Sequence, residues 1–132
     1  MLLIPGSVKV HLARDPLDMR KSFEGMSNHV KYVLQRDPLS GHVFVYVNRV
    51  RTHVKMLVWT RGGYTIVYKR LESGEFVLPR ELASSDGVLE IDVRILSLLL
   101  EGIDARDVRS RKRWEPRTPA SRVESANGIE RK

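Results

Sequence analysis

Apolar and polar residues alternate near the start of the chain. Val8, Val10 and Leu12 are separated by Lys9 and His11, a pattern typical of a strand with one buried face. The alternation predicts a short first strand that ends before the next proline.

Apolar residues then recur every three or four positions, which places them on one side of a helix from about Met19 to Gln35. They are Met19, Phe23, Met26, Val30 and Val33. Asp18 is the expected N-cap, because its carboxylate can accept hydrogen bonds from the free N–H groups of the first turn. Asp37 ends the helix, since a residue before proline disfavours helical geometry.

The period returns to two after Gly41. Three segments rich in β-branched and aromatic residues follow, namely His42–Asn48, His53–Trp59 and Tyr64–Leu71. Because short polar or Gly-rich links separate them, they predict an antiparallel meander. Glu75–Leu78 is a candidate fourth strand and Val88–Ile91 a weaker fifth one.

A second helix is predicted from about Asp92 to Glu101, with Gly102 and then Ile103 as its C-terminal cap. The expected fold class is α+β: a curved antiparallel meander sheet of four to five strands, packed by an N-terminal and a C-terminal helix that cover one face. Residues 1–103 form the predicted domain. Residues 104–132 form a basic segment that is poor in apolar residues and expected to be flexible.

Composition narrows the possible functions. The chain has 132 residues, no cysteine and a formal charge of +7, so disulfide scaffolds and Cys-ligated metal sites are excluded. No apolar run approaches the roughly 20 residues of a membrane span, and the first residues do not resemble a signal peptide. We therefore expect a cytoplasmic protein with no membrane partner, and the positive charge favours a polyanionic one.

Catalytic motifs are not found. No pair of histidines has the close helical spacing of a zinc site, no Gly-rich loop joins a strand to a helix, and no serine lies in a nucleophile motif. The acidic residues near predicted strands look like turn and cap residues rather than ligands for two metal ions. We expect no enzyme activity, no cofactor, no metal and no small-molecule substrate; a divergent metal-dependent nuclease is the least favoured alternative.

Several basic residues lie on the predicted sheet, its turns and the first helix. Candidate nucleic-acid contacts are Arg20, Lys21, Lys55, Arg61, Lys69 and Arg70. The face that carries Lys55 also carries aromatic residues, a mixture that suits phosphates and exposed bases. The alternative is a sheet whose aromatics are core and whose cations discourage edge aggregation.

The last part of the chain holds most of the excess charge. Residues 1–103 contain 14 basic and 11 acidic residues, whereas residues 104–132 contain 9 and 5. The candidate contacts there are Arg109, Arg111, Lys112, Arg113, Trp114 and Arg117. Such a segment can neutralise phosphates; a solubilising tail or a docking peptide for an acidic protein are the alternatives.

Four stretches in this order resemble one known family. They are DMRKSFEGM (18–26), DPLSGHVFVYVNR (37–49), VKMLVWTRGGYTIVYKRLESGEF (54–76) and LSLLLEGID (96–104). Together they resemble the TnpB-type accessory proteins, encoded by the second open reading frame of IS66-family insertion sequences. The resemblance covers about residues 3–116.

This resemblance implies a non-catalytic protein that assists transposition while a separate transposase cleaves and joins the strands. With the charge pattern, it favours a bacterial, nucleoid-associated protein that binds element-end DNA, the cognate transposase, or both. The alternative is a protein–protein adaptor of the transposase complex that never touches DNA.

Overall fold

The computed structural model describes residues 4–104, and they form an open five-stranded sheet flanked by helices. The strands are β1 (Val10–Ala13), β2 (Val43–Val47), β3 (His53–Thr60), β4 (Gly63–Arg70) and β5 (Val88–Ile91). Their order across the sheet is β4-β3-β2-β1-β5. The predicted α+β class is confirmed.

The predicted meander is formed by β2, β3 and β4, which pair antiparallel in sequence order. The link between β2 and β3 is held by Asn48, whose Oδ1 accepts hydrogen bonds from the backbone N–H groups of Thr52 (2.9 Å) and His53 (3.0 Å). Arg51 in this link has a φ of 60°, a left-handed conformation that lets the chain reverse direction. These turns need only local sequence, which is why alternation and loop length predicted them.

The first strand departs from an all-antiparallel sheet. β1 pairs parallel with β2 and antiparallel with β5, so the sheet is mixed. A parallel pair needs a crossover connection, and the segment that contains the first helix supplies it. The sequence indicated that a helix lies between the two strands but not that they become neighbours.

The first helix is shorter than predicted. Helix α1 spans Phe23–Asn28 and continues as a π-helical turn over His29–Val33. Ser22, rather than Asp18, occupies the N-cap position, and its side chain makes no capping hydrogen bond. The prediction of Asp18 as N-cap was wrong, because its carboxylate binds Arg20 in the preceding turn instead.

The helices cover opposite faces of the sheet. Met26 and Val30 of the first helical segment join a buried cluster with Phe44 and Leu57. Helix α2 (Val93–Leu100) and a 3₁₀ turn (Arg80–Ser84) pack on the other face. The prediction that both helices cover one face was therefore wrong, because both sides of the central strands are apolar and each side needs a cover.

The segment predicted as a fourth meander strand is irregular. Glu75–Leu78 has no strand pairing in the structure. Phe76 is nevertheless buried, and its backbone N–H donates to the carbonyl oxygen of Arg51 at 2.7 Å. The apolar residues of this segment thus fill the core beneath the sheet without extending it, whereas Val88–Ile91 does form a strand, as expected.

Candidate nucleic-acid interface

The segment before α1 is a tight turn organised by Asp18 and Arg20. The Asp18 Oδ1 atom accepts a hydrogen bond from the Arg20 backbone N–H at 2.9 Å, and Oδ2 accepts one from Arg20 Nη2 at 2.7 Å. The hydrogen bond from the Arg20 guanidinium lowers the pKa of Asp18 to about 2. The Arg20 side chain is 91% exposed, so this turn presents to solvent a charged guanidinium that is paired with a carboxylate.

Lys55 fastens this turn to the sheet. Its Nζ donates hydrogen bonds to the carbonyl oxygens of Met19 and Lys21, each at 2.7 Å. Nζ also lies 4.8 Å from the ring centroid of Tyr68, within the range of a cation–π contact. With only 8% of Lys55 exposed, the expectation that it lies on an open basic face is corrected: it acts inside the fold.

The other predicted cations of the sheet have different surroundings. Lys69 projects from the opposite face, where its Nζ donates to the carbonyl oxygen of Leu100 at 2.6 Å, at the end of α2. Arg70 forms an ion pair with Glu72 at 2.8 Å. Arg61 is exposed in the β3–β4 turn, and no carboxylate of the described residues forms a salt bridge with it.

The aromatic residues on the sheet face that carries Lys55 are divided between core and surface. Tyr46 is fully buried, and its hydroxyl lies 2.9 Å from His29 Nδ1. Trp59 and Tyr64 meet edge to face with ring centroids 5.0 Å apart, and Tyr68 is 53% exposed. The face is therefore neither a continuous stacking platform nor simply core.

Sequence reasoning missed the contacts of buried His11 and half-buried His29. Burial is the main cause that lowers the pKa values of both His29 and His11, and burial raises the pKa of Tyr46. His11 stacks on Phe44 with ring centroids 5.1 Å apart. The only available signal was the position of both histidines among apolar residues of a predicted element.

Several predictions lie outside the described residues. Arg109, Arg111, Lys112, Arg113, Trp114 and Arg117 all follow residue 104. Within residues 4–104, no cluster of acidic and histidine residues could hold a metal ion. The helices of the same region are all too short or too polar to cross a bilayer.

Comparison with known proteins identifies the family. The sequence profile of a family described as IS66 Orf2 like protein matches residues 8–110. The uncharacterized protein y4hO of Sinorhizobium fredii (strain NBRC 101917 / NGR234) is 35% identical over 111 residues, which cover 83% of this chain and 91% of the relative. The uncharacterized protein y4jC of the same strain is 30% identical over 97 residues, covering 74% and 80%.

No solved structure matches the chain significantly. The matched segment nevertheless includes every strand and helix described above, from the first residue of β1 to the last of α2. The chain therefore belongs to the IS66 Orf2-like family and is an accessory protein associated with an insertion sequence.

Proposed function

We propose that the protein assists transposition by binding the DNA of the element, and that the Arg-rich segment after residue 104 supplies most of the phosphate contacts. The observation that carries this proposal is the division of the positive charge. Of the 14 basic residues within residues 1–103, four arginines pair with carboxylates and two lysines bind backbone carbonyl oxygens, whereas more than half of the net positive charge lies in residues 104–132.

Four arginines of the described region already form ion pairs with carboxylates. The pairs are Arg14–Asp15, Arg20–Asp18, Arg51–Glu75 and Arg70–Glu72. Lys55 and Lys69 bind backbone carbonyl oxygens. A cation that is already paired gains less from a phosphate, by up to about 1 kcal/mol for an exposed ion pair, because the existing partner must first be displaced.

The segment that follows has a different balance. Between Arg106 and Arg117 the sequence has six basic residues and two acidic ones, with Trp114 among them. Each phosphate neutralised by such a cation releases condensed counterions, so binding must weaken as salt rises. A tryptophan beside arginines adds an aromatic surface that can stack on exposed bases. DNA binding of this kind places the protein at the bacterial nucleoid.

The test is the affinity for element-end duplex DNA as a function of salt. We expect the logarithm of the binding constant to fall linearly with the logarithm of salt concentration. Replacing Arg111, Lys112 and Arg113 by glutamine should reduce the steepness of that line by up to about 3, close to one unit for each lost phosphate contact.

The matched control removes the same charge from the folded region. The triple variant Arg20→Gln, Arg51→Gln and Arg70→Gln also lowers the net charge by three but alters only cations that already have partners. We expect it to keep most of the salt dependence. If it reduces the slope as much as the first triple variant does, or if wild-type protein shows no salt-sensitive binding, the proposal fails.

A protein adaptor of the transposase is the second candidate function. The observation that favours it is the exposure of two aromatic side chains around Lys55: Tyr68, which contacts its ammonium group, is 53% exposed, and Phe23, two residues after Lys21, is 47% exposed. Aromatic residues and arginines such as Arg20 are enriched in protein–protein interfaces. Co-purification with the cognate transposase after nuclease treatment would support this function, and loss of co-purification on treatment would contradict it.

A further inference from the structure

Strand β4 forms one edge of the sheet, and that edge is long and regular. Its eight residues pair with β3 without a break, from His53↔Arg70 to Thr60↔Gly63, and β3 is its sole neighbour within residues 4–104. The opposite edge strand, β5, has four residues. A long unpaired edge offers a row of free backbone donors and acceptors to another strand.

The pattern of backbone hydrogen bonds between β3 and β4 shows which backbone groups of β4 point away from β3. The Leu71 N–H donates to the carbonyl oxygen of Thr52, and the Asn48 N–H donates to that of His53. Because hydrogen-bonded pairs alternate along an antiparallel ladder, odd-numbered residues of β4 bond to β3. The backbone groups of Tyr64, Ile66, Tyr68 and Arg70 therefore face the free edge.

Within residues 4–104, β4 has few of the usual protections of an edge strand. The strand contains no proline and its register shows no bulge. Lys69 is its single lysine, and the ammonium group is bound to the end of α2 on one face. Natural edge strands rely on such features to prevent pairing with other chains, so their scarcity on β4, whose two cations both lie at its C-terminal end, favours an edge that pairs with another strand.

We propose that β4 pairs antiparallel with β4 of a second copy of this chain, which joins two five-stranded sheets into one of ten strands. Residues directly opposite each other must point to the same face, which allows two registers of maximal overlap, centred on Ile66 or on Val67. Either register makes about six to eight backbone hydrogen bonds from the free groups.

The charge distribution favours a second copy as the occupant. Both cations of β4, Lys69 and Arg70, lie at its C-terminal end, so an antiparallel pair places them at opposite ends of the interface. The two Lys69 side chains are then separated by four to six residues along the strands, about 14 to 20 Å. That exceeds the Debye length of about 10 Å at 0.1 M salt, and uncharged residues fill the centre.

The first experiment measures the mass of the 132-residue chain by light scattering at micromolar concentrations. We expect twice the 15.2 kDa of one chain. Tyr68→Pro removes an outward N–H without disturbing the pairing with β3 and should give the monomer mass. Tyr68→Ala is the control, because it removes the same side chain but keeps the N–H, and it should remain a dimer.

Because the chain contains no cysteine, a single introduced cysteine reports the register. Ile66→Cys or Val67→Cys, whichever lies on the two-fold axis, should form an intermolecular disulfide under mild oxidation, whereas Tyr64→Cys should not, since its two copies would lie more than about 10 Å apart. A monomeric wild-type protein overturns the proposal. So does a Tyr68→Pro variant that remains dimeric, or a Tyr68→Ala variant that does not.

Discussion

Lys55 shows how one side chain can connect an irregular segment to the core. It projects from the middle of β3 and donates to two carbonyl oxygens of the Asp18–Lys21 turn. An ammonium group that replaces its water shell with carbonyl oxygens and an aromatic ring can remain buried. Part of the DMRKSFEGM stretch thus owes its position to a lysine more than thirty residues away.

We predict that Lys55→Met lowers the free energy of unfolding by about 2 kcal/mol, because two carbonyl oxygens lose a charged donor. Chemical denaturation measures the change. Lys69→Met is the matched control: it also removes a lysine bound to a carbonyl oxygen, but at an exposed site where water replaces the donor, and it should cost less than about 1 kcal/mol. Equal losses in the two variants would contradict the role assigned to Lys55.

The Asp18 carboxyl group provides a second test at the same turn. Its hydrogen bonds from Arg20 lower its pKa to about 2, so NMR titration should place its protonation well below the ordinary value of about 3.9. In Arg20→Gln the pKa should rise toward that value. An unchanged titration in the variant would show that the guanidinium does not hold the carboxylate.

At the scale of elements, a half-buried histidine–tyrosine contact links the first helix to the sheet. His29 begins the π-helical turn, and its Nδ1 meets the hydroxyl of Tyr46 on β2. π-Helical turns are rare and are often found at functional sites. The contact holds the helix over the central strand β2. Partial burial lowers the pKa of His29 and so favours its neutral imidazole, because burial disfavours the charged form.

We predict that stability falls as the pH drops from about 7 to about 5. The pKa values of His11 and His29 are lowered in the folded state, while unfolded histidines protonate near pH 6.5. The unfolded chain therefore binds more protons in this window, so the free energy of unfolding rises with pH and the stabilisation is lost on acidification. Urea unfolding at the two pH values measures the difference.

The same experiment on His29→Gln isolates one contribution. Glutamine can still meet the Tyr46 hydroxyl but does not titrate, so the variant should depend less on pH than the wild-type protein. The groups that influence His29 are Asp15 and Lys21, in addition to burial. If wild-type protein is equally stable at both pH values, His11 and His29 do not contribute to stability as the structure indicates.

The elements differ in how far sequence could predict them. Alternation and short turns are local signals, and they gave β2, β3 and β4 to within two residues. The parallel pairing of β1 with β2 joins residues about thirty positions apart, and no local pattern specifies such a partner. Lys55 occupies a polar position of an alternating strand, which normally indicates a solvent-exposed side chain. Its burial could not be predicted without knowing that the Asp18–Lys21 turn packs over it.

At the scale of the whole molecule, the buried clusters of residues 4–104 and the Arg-rich stretch occupy different parts of the sequence. Both buried clusters are built from residues of the described region, between Val10 and Leu99. The Arg-rich stretch begins after that region ends. In the proposed function, the sheet provides a stable body and the later segment provides the affinity for DNA, so the two properties should be separable by truncation.

We predict that a chain ending at Asp104 folds with a free energy of unfolding within about 1 kcal/mol of the full-length value, because the core that drives folding is retained. The same truncation should abolish salt-dependent binding to element-end DNA. Urea denaturation and a DNA-binding titration on one preparation measure both. A truncated chain that is unfolded would show that later residues complete the domain. A folded truncated chain that binds DNA with the full salt slope would place the DNA contacts on the sheet or its turns. Exposed Arg61 and Lys21 would then be the first residues to substitute.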